Sequence, residues 1–427
     1  MNIFKILDKI KGKKIDLGLF TLLLIIIFTL SFFLSIGNLT HDSIDYYTIL
    51  QKIVSPNELG IVDNPFFLEQ RAPGYSLISI PSYYFLNTIS FLVNNSITPK
   101  MDSPINAIDM PEFIPTKLIN AKDIFFNNNL TNQNFIYNWK IAGALILTSF
   151  ILLLLGIIYS FKTLSFMKEK NKITGLFLIG IIILLTQSFT QTIIQTPTYA
   201  TLCSFGIISI FTYFFIKSYY SKSSHIAILS GILLAILSLI RFEGTIIGII
   251  IIGSLFFLKE KQLAKNILAG LITIIPLYII YTTLMFGKII NLAFLNGDLN
   301  KILFDPNFIF QATLSPFSGA IFFSTIILIG IIGLFLTSKK PLKVLGIVSI
   351  VFIIVICFRV PVICTCGASE TITIGNEIVT CATQACAQLI QSDINRYLIL
   401  LVPFSLLGLQ NLFFIIQEKF PKKINKK

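Results

Sequence analysis

Charged residues are scarce in this chain of 427 residues: Asp, Glu, Lys and Arg together make up only 12% of it. Soluble domains carry about 25%, so the sequence excludes an ordinary soluble protein. Hydrophobic residues make up 55%, enough for many of the roughly 20-residue apolar helices that cross a bilayer. The net charge of +13 comes from lysines clustered between apolar stretches, which indicates membrane topology rather than nucleic-acid binding.

Several familiar motifs are also missing. The chain has no phosphate-binding loop, no dinucleotide fingerprint and no His-Glu-x-x-His pair, so neither a nucleotide site nor that kind of zinc site is predicted. It has no tandem repeat and no low-complexity domain. The apolar stretch at 17–36 follows a lysine-rich N-terminus but lacks a signal-peptide cleavage site. We therefore expect this stretch to be a membrane anchor.

The apolar stretches predict an all-α, multi-pass membrane protein in which residues 1–427 form one membrane-embedded domain with ten transmembrane helices. The fifth and sixth stretches are short and could form one tightly turned pair around residues 241–244. The predicted spans are 17–36, 141–161, 173–190, 199–216, 226–240, 244–258, 266–286, 317–337, 342–358 and 397–416.

The distribution of charge predicts the orientation of these helices. With the N-terminus in the cytoplasm, the inward-facing segments hold 22 of the 33 Lys and Arg residues, whereas 15 of the 20 Asp and Glu residues lie outside. Because basic residues concentrate in short cytoplasmic loops, we predict that both termini are cytoplasmic. The first extracytoplasmic loop, 37–140, is then the longest, and its amphipathic stretch at 76–93 is expected to form an interfacial helix.

The last outer loop, 359–396, contains four of the six cysteines. Outside the cytoplasm disulfides persist, so we expect disulfides here, with zinc or free thiols as the alternatives. Four cysteines allow three pairings, and the first two are too close in sequence to bridge comfortably. The disulfide candidates are Cys364, Cys366, Cys381 and Cys386.

An acidic pair follows the first span. Asp42, Asp45 and Tyr46 have the i, i+3 and i+4 spacing that places residues on one face of a helix. Two carboxylates at a membrane surface can take a proton from an attacking hydroxyl or hold a divalent cation. Helix capping by Asp42, with a solvated Asp45, is the alternative.

Arginines recur at the predicted outer boundaries. Arg71 precedes the turn signal Pro73-Gly74, and an arginine can bind an anionic group through two hydrogen bonds. Arg241 ends the fifth span and Arg396 begins the tenth. Charge at the edge of hydrocarbon is costly unless it pairs, binds a ligand or extends to the headgroups, and extension to the headgroups is the alternative here.

These segments, taken in order, resemble the motifs of the GT-C superfamily of polytopic glycosyltransferases, which includes protein O-mannosyltransferases and lipid A aminoarabinose transferases. The segment 42–46 resembles the acidic motif of this superfamily, although Ser43 stands where many members have a second acid. The segment 71–75 is similar to their Arg-x-Pro-Gly-Tyr motif, 230–244 to their mid-chain helix and 396–403 to their late Arg-Tyr helix.

The resemblance implies an inverting transfer of a hexose or pentose from a polyprenyl-phosphate donor to a hydroxyl of a lipid, glycan or protein. The reaction would occur at the outer face of the plasma membrane, among membrane lipids, with no certain cofactor. It implies that Asp42 is the general base, with Asp45 beside it. The implied phosphate-binding residues are Arg71, Arg241 and Arg396, and the site-shaping residues are Tyr46, Pro73, Gly74, Tyr75 and Tyr397.

A transporter or lipid flippase is the alternative from another functional class. Its outer arginines would line a substrate path. Transporters usually carry ionisable or helix-breaking residues near the middle of the membrane, whereas the interiors of the predicted spans here are nearly free of charge. The sequence therefore favours the transferase.

Overall fold

The structure, a computed structural model, describes residues 41–55, 73–94, 139–167, 200–286, 325–359, 371–374, 377–380 and 398–419. These residues are almost entirely helical. A 3₁₀ turn, Ile399–Leu401, leads directly into the last helix. The helices are α1 (His41–Val54), α2 (Gly74–Asn94), α3 (Trp139–Met167), α4 (Ala200–Ser221), α5 (Ser224–Ile240), α6 (Glu243–Phe257), α7 (Lys261–Leu271), α8 (Ile274–Phe286), α9 (Thr325–Phe335), α10 (Lys340–Arg359) and α11 (Val402–Lys419).

Helices occupy eight of the ten predicted spans, and the other two, 17–36 and 173–190, lie outside the described residues. The described residues therefore form the apolar helices expected of a membrane protein, while the ten-span topology and its orientation stay predictions. Shorter apolar helices are α5, α6 and α9. Four described helical stretches are long and apolar enough to cross a membrane: Trp139–Met167, Ala200–Ser221, Lys261–Leu284 and Ile399–Ile416.

One short β-hairpin is the exception to the all-α expectation. Strand β1 (Thr371–Ile374) pairs antiparallel with β2 (Glu377–Thr380), and Ile374 lies opposite Glu377. Only Gly375 and Asn376 separate the strands in sequence, and this is the composition that two-residue hairpin turns favour. The hairpin lies in the predicted last outer loop. The four cysteines of that loop lie outside the described residues, so their disulfides stay a prediction.

Glycines allow the helix backbones to approach closely. Gly231 of α5 lies against Gly270 of α7, and Gly330 of α9 lies against Gly408 of α11, so that an added Cβ at any of these positions would meet backbone atoms. Helices in lipid gain little from the hydrophobic effect and associate instead through such close packing of small residues. The outward surface carries large apolar side chains such as Leu284, which is 79% exposed.

A cluster of polar residues ties three loops together at one end of the bundle. Glu260 accepts hydrogen bonds from the Tyr219 hydroxyl at 2.9 Å and from the ammonium groups of Lys222 at 3.3 Å and Lys340 at 3.5 Å. Partial burial alone would raise the pKa of the Glu260 carboxyl, but these hydrogen bonds and the two lysine charges lower it below its ordinary value. The loops that meet here are three of those predicted to face the cytoplasm.

Helix α4 connects this end of the bundle to the other. It begins at Ala200, and Tyr219 lies in its last turn. The 18 residues from Thr201 to Tyr219 correspond to about 27 Å along a helix axis, close to the roughly 30 Å of a bilayer's hydrocarbon. Side chains near Thr201 and side chains near Tyr219 are therefore separated by about the thickness of a membrane.

Candidate functional site

The site begins at the turn between α5 and α6. Helix α5 ends at Ile240, Arg241 takes an extended backbone conformation, and α6 begins at Glu243. The N–H of Arg241 donates to the carbonyl of Leu237 at 2.8 Å, and the N–H of Gly244 donates to the carbonyl of Arg241 at 2.9 Å. The prediction of a tightly turned helix pair around residues 241–244 is therefore confirmed.

The side chain of Arg241 hydrogen-bonds to Glu243 within this turn and to Thr201 at the start of α4. Its Nε donates to Oε2 of Glu243 at 3.3 Å, and its Nη1 donates to Oγ1 of Thr201 at 3.2 Å. The Arg241 side chain is 15% exposed and the Glu243 side chain 5%. Glu243 also lies in the first turn of α6, where the helix dipole favours a negative charge. The guanidinium is thus fixed where the start of α4 meets the α5–α6 turn.

The Pro73-Gly74 turn packs directly against the end of α5. A Cβ added to Gly74 would lie 2.5 Å from the carbonyl carbon of Leu239 and 2.6 Å from the nitrogen of Ile240. Only a glycine allows this contact between the two backbones. This contact brings α2 next to the residue that precedes Arg241, while the role of Gly74 in shaping a site stays a prediction.

Helix α1 is anchored to the same turn through Tyr46. The rings of Tyr46 and Tyr75 meet edge to face, with centroids 5.1 Å apart. The Ser76 hydroxyl donates to the carbonyl of Tyr46 at 2.8 Å. Asp42 and Asp45 lie on the helical backbone of α1, as the sequence predicts, but their side chains lie outside what the structure describes.

Tyr75 connects α2 to two further helices. Its hydroxyl donates to the carbonyl of Leu145 at 2.8 Å and lies 2.8 Å from the Ser149 hydroxyl. Ser149 in turn lies 3.6 Å from the sulfur of Cys203. Tyr75 is fully buried, so these bonds replace those to water that its hydroxyl loses. The predicted site-shaping residue Tyr75 is therefore an anchor that joins α2, α3 and α4.

The structure brings several predicted site residues together and leaves others outside its described part. The Pro73-Gly74-Tyr75 turn contacts Tyr46 on one side and, on the other, the two residues that precede Arg241. The turn Ile399–Leu401, which follows the predicted Arg-Tyr pair, packs against α4. The predicted site residues outside the described residues are Arg71, Arg396 and Tyr397.

Sequence reasoning missed the partners of Arg241. The pairing with Glu243 could have been predicted, since the carboxylate of an acid two residues after an arginine can fold back onto the guanidinium across a tight turn. The pairing with Thr201 could not have been predicted, because Thr201 lies 40 residues away in sequence. Among the described residues no group of three or more His, Cys, Asp and Glu residues could hold a metal ion. The side chains of Asp42 and Asp45 lie outside those residues.

The pairing of Glu243 with Arg241 leads to a stability prediction. Glu243→Gln would remove one charged partner of the mostly buried Arg241, so we expect the free energy of unfolding to fall by about 3 kcal/mol. Unfolding by SDS in mixed micelles measures this change. Glu260→Gln is the matched control, because its lysine partners are 66% and 55% exposed and such pairs contribute about 1 kcal/mol or less. Equal losses in both variants would contradict the prediction.

The comparisons with known proteins assign no family. No protein-family model matches the chain, and neither a curated protein nor a solved structure is significantly similar to it. The likeness of its motifs to a glycosyltransferase superfamily therefore stays a prediction from the sequence.

Proposed function

We propose that this chain is a glycosyltransferase that moves a sugar from a polyprenyl phosphate to an acceptor hydroxyl at the outer face of the membrane. One observation carries the proposal. The Arg241 guanidinium is fixed at the α5–α6 turn, and the two residues before it, Leu239 and Ile240, pack on Gly74 in the turn that follows Arg71. The helix that begins at Gly74 is hydrogen-bonded in turn to α1, the helix of Asp42 and Asp45. An acid, a cation and a membrane boundary are the three features that a lipid-phosphate sugar transfer requires.

Covalent geometry limits how far the remaining candidate residues lie from residues that the structure describes. Asp42 precedes Tyr46 by one helical turn, about 6 Å along the axis. Consecutive Cα atoms are about 3.8 Å apart, so the Cα of Arg71 lies within about 11 Å of that of Gly74. By the same rule, the Cα of Arg396 lies within about 8 Å of that of Leu398. An arginine side chain can bridge much of such a distance.

The proposed reaction is a direct displacement at the anomeric carbon of the sugar. Asp42 accepts the proton of the acceptor hydroxyl as its oxygen bonds to that carbon. The bond between the carbon and the phosphate oxygen breaks at the same time, and the lipid phosphate leaves with the electron pair. Because attack and departure occur on opposite sides, the product has the inverted configuration. The arginines stabilise the charge that develops on the departing phosphate, and Asp45 lies beside the base.

The proposal includes the topology that the reaction needs. In a ten-span arrangement with both termini in the cytoplasm, Arg241 and the first loop lie at the outer face of the plasma membrane. The cluster around Glu260, about 27 Å away along α4, then lies at the cytoplasmic face. That cluster joins three short loops that contain lysine, and short basic loops favour the cytoplasm.

Transfer of label from a lipid donor tests the proposal. Membranes containing the chain would be incubated with radiolabelled polyprenyl-phosphate hexoses and pentoses in turn, and we expect label from one of them to appear in an acceptor fraction. Proteoliposomes containing the same protein and the same donors serve as the comparison. Movement of intact donor across their bilayer without transfer would overturn the proposal in favour of a flippase.

A further inference from the structure

The second half of α2 and the start of α3 enclose a cleft that the proposed reaction does not use. The cleft opens onto the surface of the protein and has a volume of about 330 Å³. The 13 residues from Gly74 to Asn87 correspond to about 20 Å along α2, so the cleft is separate from the turn at Arg241. Its lining residues are Asn87, Thr88, Ser90, Phe91 and Lys140.

The polar side of the cleft is suited to a phosphate group. Lys140 is the one charged residue among the described residues that line it, and its ammonium group donates to Oδ1 of Asn87 at 2.9 Å. That bond orients the Asn87 amide, whose NH₂ group is a second donor, and the Ser90 hydroxyl can provide a third. The Thr88 hydroxyl donates to the carbonyl of Tyr84 at 2.8 Å. A positive charge with nearby neutral donors is the chemistry that binds a phosphate oxygen.

The surroundings of the cleft are apolar and aromatic. Tyr84 is 56% exposed, Phe85 57% and Phe91 65%, and Trp139, next to Lys140, is 43% exposed. The first half of α2 is different, since Tyr75 and Ser76 there are fully buried. Exposed aromatic rings beside a lysine are typical of the interface between lipid headgroups and acyl chains. The cleft therefore combines a site for a phosphate with a surface for hydrocarbon.

From this combination we infer that the cleft binds an anionic membrane phospholipid. The phosphate lies against Lys140 and Asn87, and the acyl chains lie along Phe85 and Phe91. Anionic lipids fit better than zwitterionic ones, because the described lining residues offer a positive charge to the phosphate and include no acid for the ammonium group of a choline or ethanolamine head. This inference does not depend on the proposed glycosyltransferase activity, and sugar transfer does not enter its test.

Trp139 provides the measurement, because it is the only tryptophan in the sequence and is adjacent to Lys140. The full chain would be reconstituted in phosphatidylcholine bilayers that contain a small fraction of either brominated phosphatidic acid or brominated phosphatidylcholine. Bromine quenches tryptophan only at short range. We expect the anionic lipid to quench Trp139 more strongly than the zwitterionic lipid at equal mole fraction.

Substitutions locate the preference at the cleft. Lys140→Gln should weaken relative binding of phosphatidic acid about tenfold, as the loss of one charge-assisted hydrogen bond predicts, and Lys140→Arg should retain it. Lys162→Gln is the matched control, because Lys162 lies on α3 near its other end, where its ammonium group lies 4.6 Å from the centre of the Tyr159 ring. Unchanged preference is expected for this control.

Three results would overturn the inference. The first is equal quenching of Trp139 by the two lipids, and the second is a preference that survives Lys140→Gln. The third is loss of the preference when inorganic phosphate is added at millimolar concentration, which would mean that the cleft takes a soluble anion. If Lys140→Gln does not fold, Lys140→Arg and the wild-type comparison of the two lipids still decide the question.

Discussion

Asp42→Asn is expected to lower the rate of sugar transfer by about 10² to 10⁴-fold, the usual contribution of a general base. Asparagine has nearly the same shape as aspartate but cannot accept the proton of the acceptor hydroxyl. It is also a good residue for the start of a helix, so α1 and its contacts to α2 should persist. The initial rate of label transfer in membranes measures the loss, and size-exclusion chromatography in detergent checks that the protein is folded.

Two further variants in α1 test whether the loss is specific to Asp42. Lys52→Gln changes a charge in the last turn of the same helix and should leave the rate nearly unchanged. Asp45→Asn should reduce the rate less than Asp42→Asn does, because Asp45 is assigned a supporting position. Full activity in Asp42→Asn would remove Asp42 from the mechanism, and a larger loss in Asp45→Asn would transfer the role of base to Asp45.

Gly74→Ala should have the second large effect, on both stability and transfer. The new Cβ would lie 2.5 to 2.7 Å from backbone atoms of Leu239 and Ile240, and backbone cannot move aside as a flexible side chain does. Overpacking of this kind costs about 1–3 kcal/mol, so the start of α2 must move away from the end of α5. That movement would separate the turn after Arg71 from Arg241, and we expect transfer to fall at least tenfold.

Gly253→Ala is the matched control for this substitution. Gly253 lies in α6, and an added Cβ there would meet nothing within 4 Å. The same chemical change should therefore be neutral or stabilise the helix by up to about 1 kcal/mol, because alanine favours a helix over glycine. SDS unfolding and the label-transfer rate would be measured for both variants. Equal stability and equal transfer rates in the two variants would show that the contact of Gly74 with α5 contributes to neither property.

Local features of the structure could be predicted from the sequence. The apolar stretch at 141–161 became the centre of α3, and the charged, glycine-containing segment at 241–244 became the α5–α6 turn. In both cases the cause lies within a few neighbouring residues, since a long apolar run forms a helix in lipid and a polar interruption ends it. The β-hairpin at 371–380 is also local, but the composition of the whole chain directed attention to helices.

Contacts between distant segments could not be predicted in the same way. The Tyr75 hydroxyl meets Leu145, 70 residues away, and Arg241 meets Thr201, 40 residues away. Periodicity indicates which face of a helix is apolar, but it contains no information about which helix covers that face. The position of Arg241 at the end of a predicted span can be read from the sequence, whereas its carboxylate and hydroxyl partners require the three-dimensional structure.

In the proposed ten-span arrangement, the distance between the two polar clusters along α4 also makes the protein sensitive to the thickness of the bilayer. With about 27 Å between Thr201 and Tyr219, both clusters can lie among headgroups where the hydrocarbon is close to that thickness. In a thicker bilayer the Arg241–Glu243 pair would be drawn into hydrocarbon unless the bundle stretched or the lipids around it thinned. Acyl-chain length is thus a physical variable that can act directly on the geometry around Arg241.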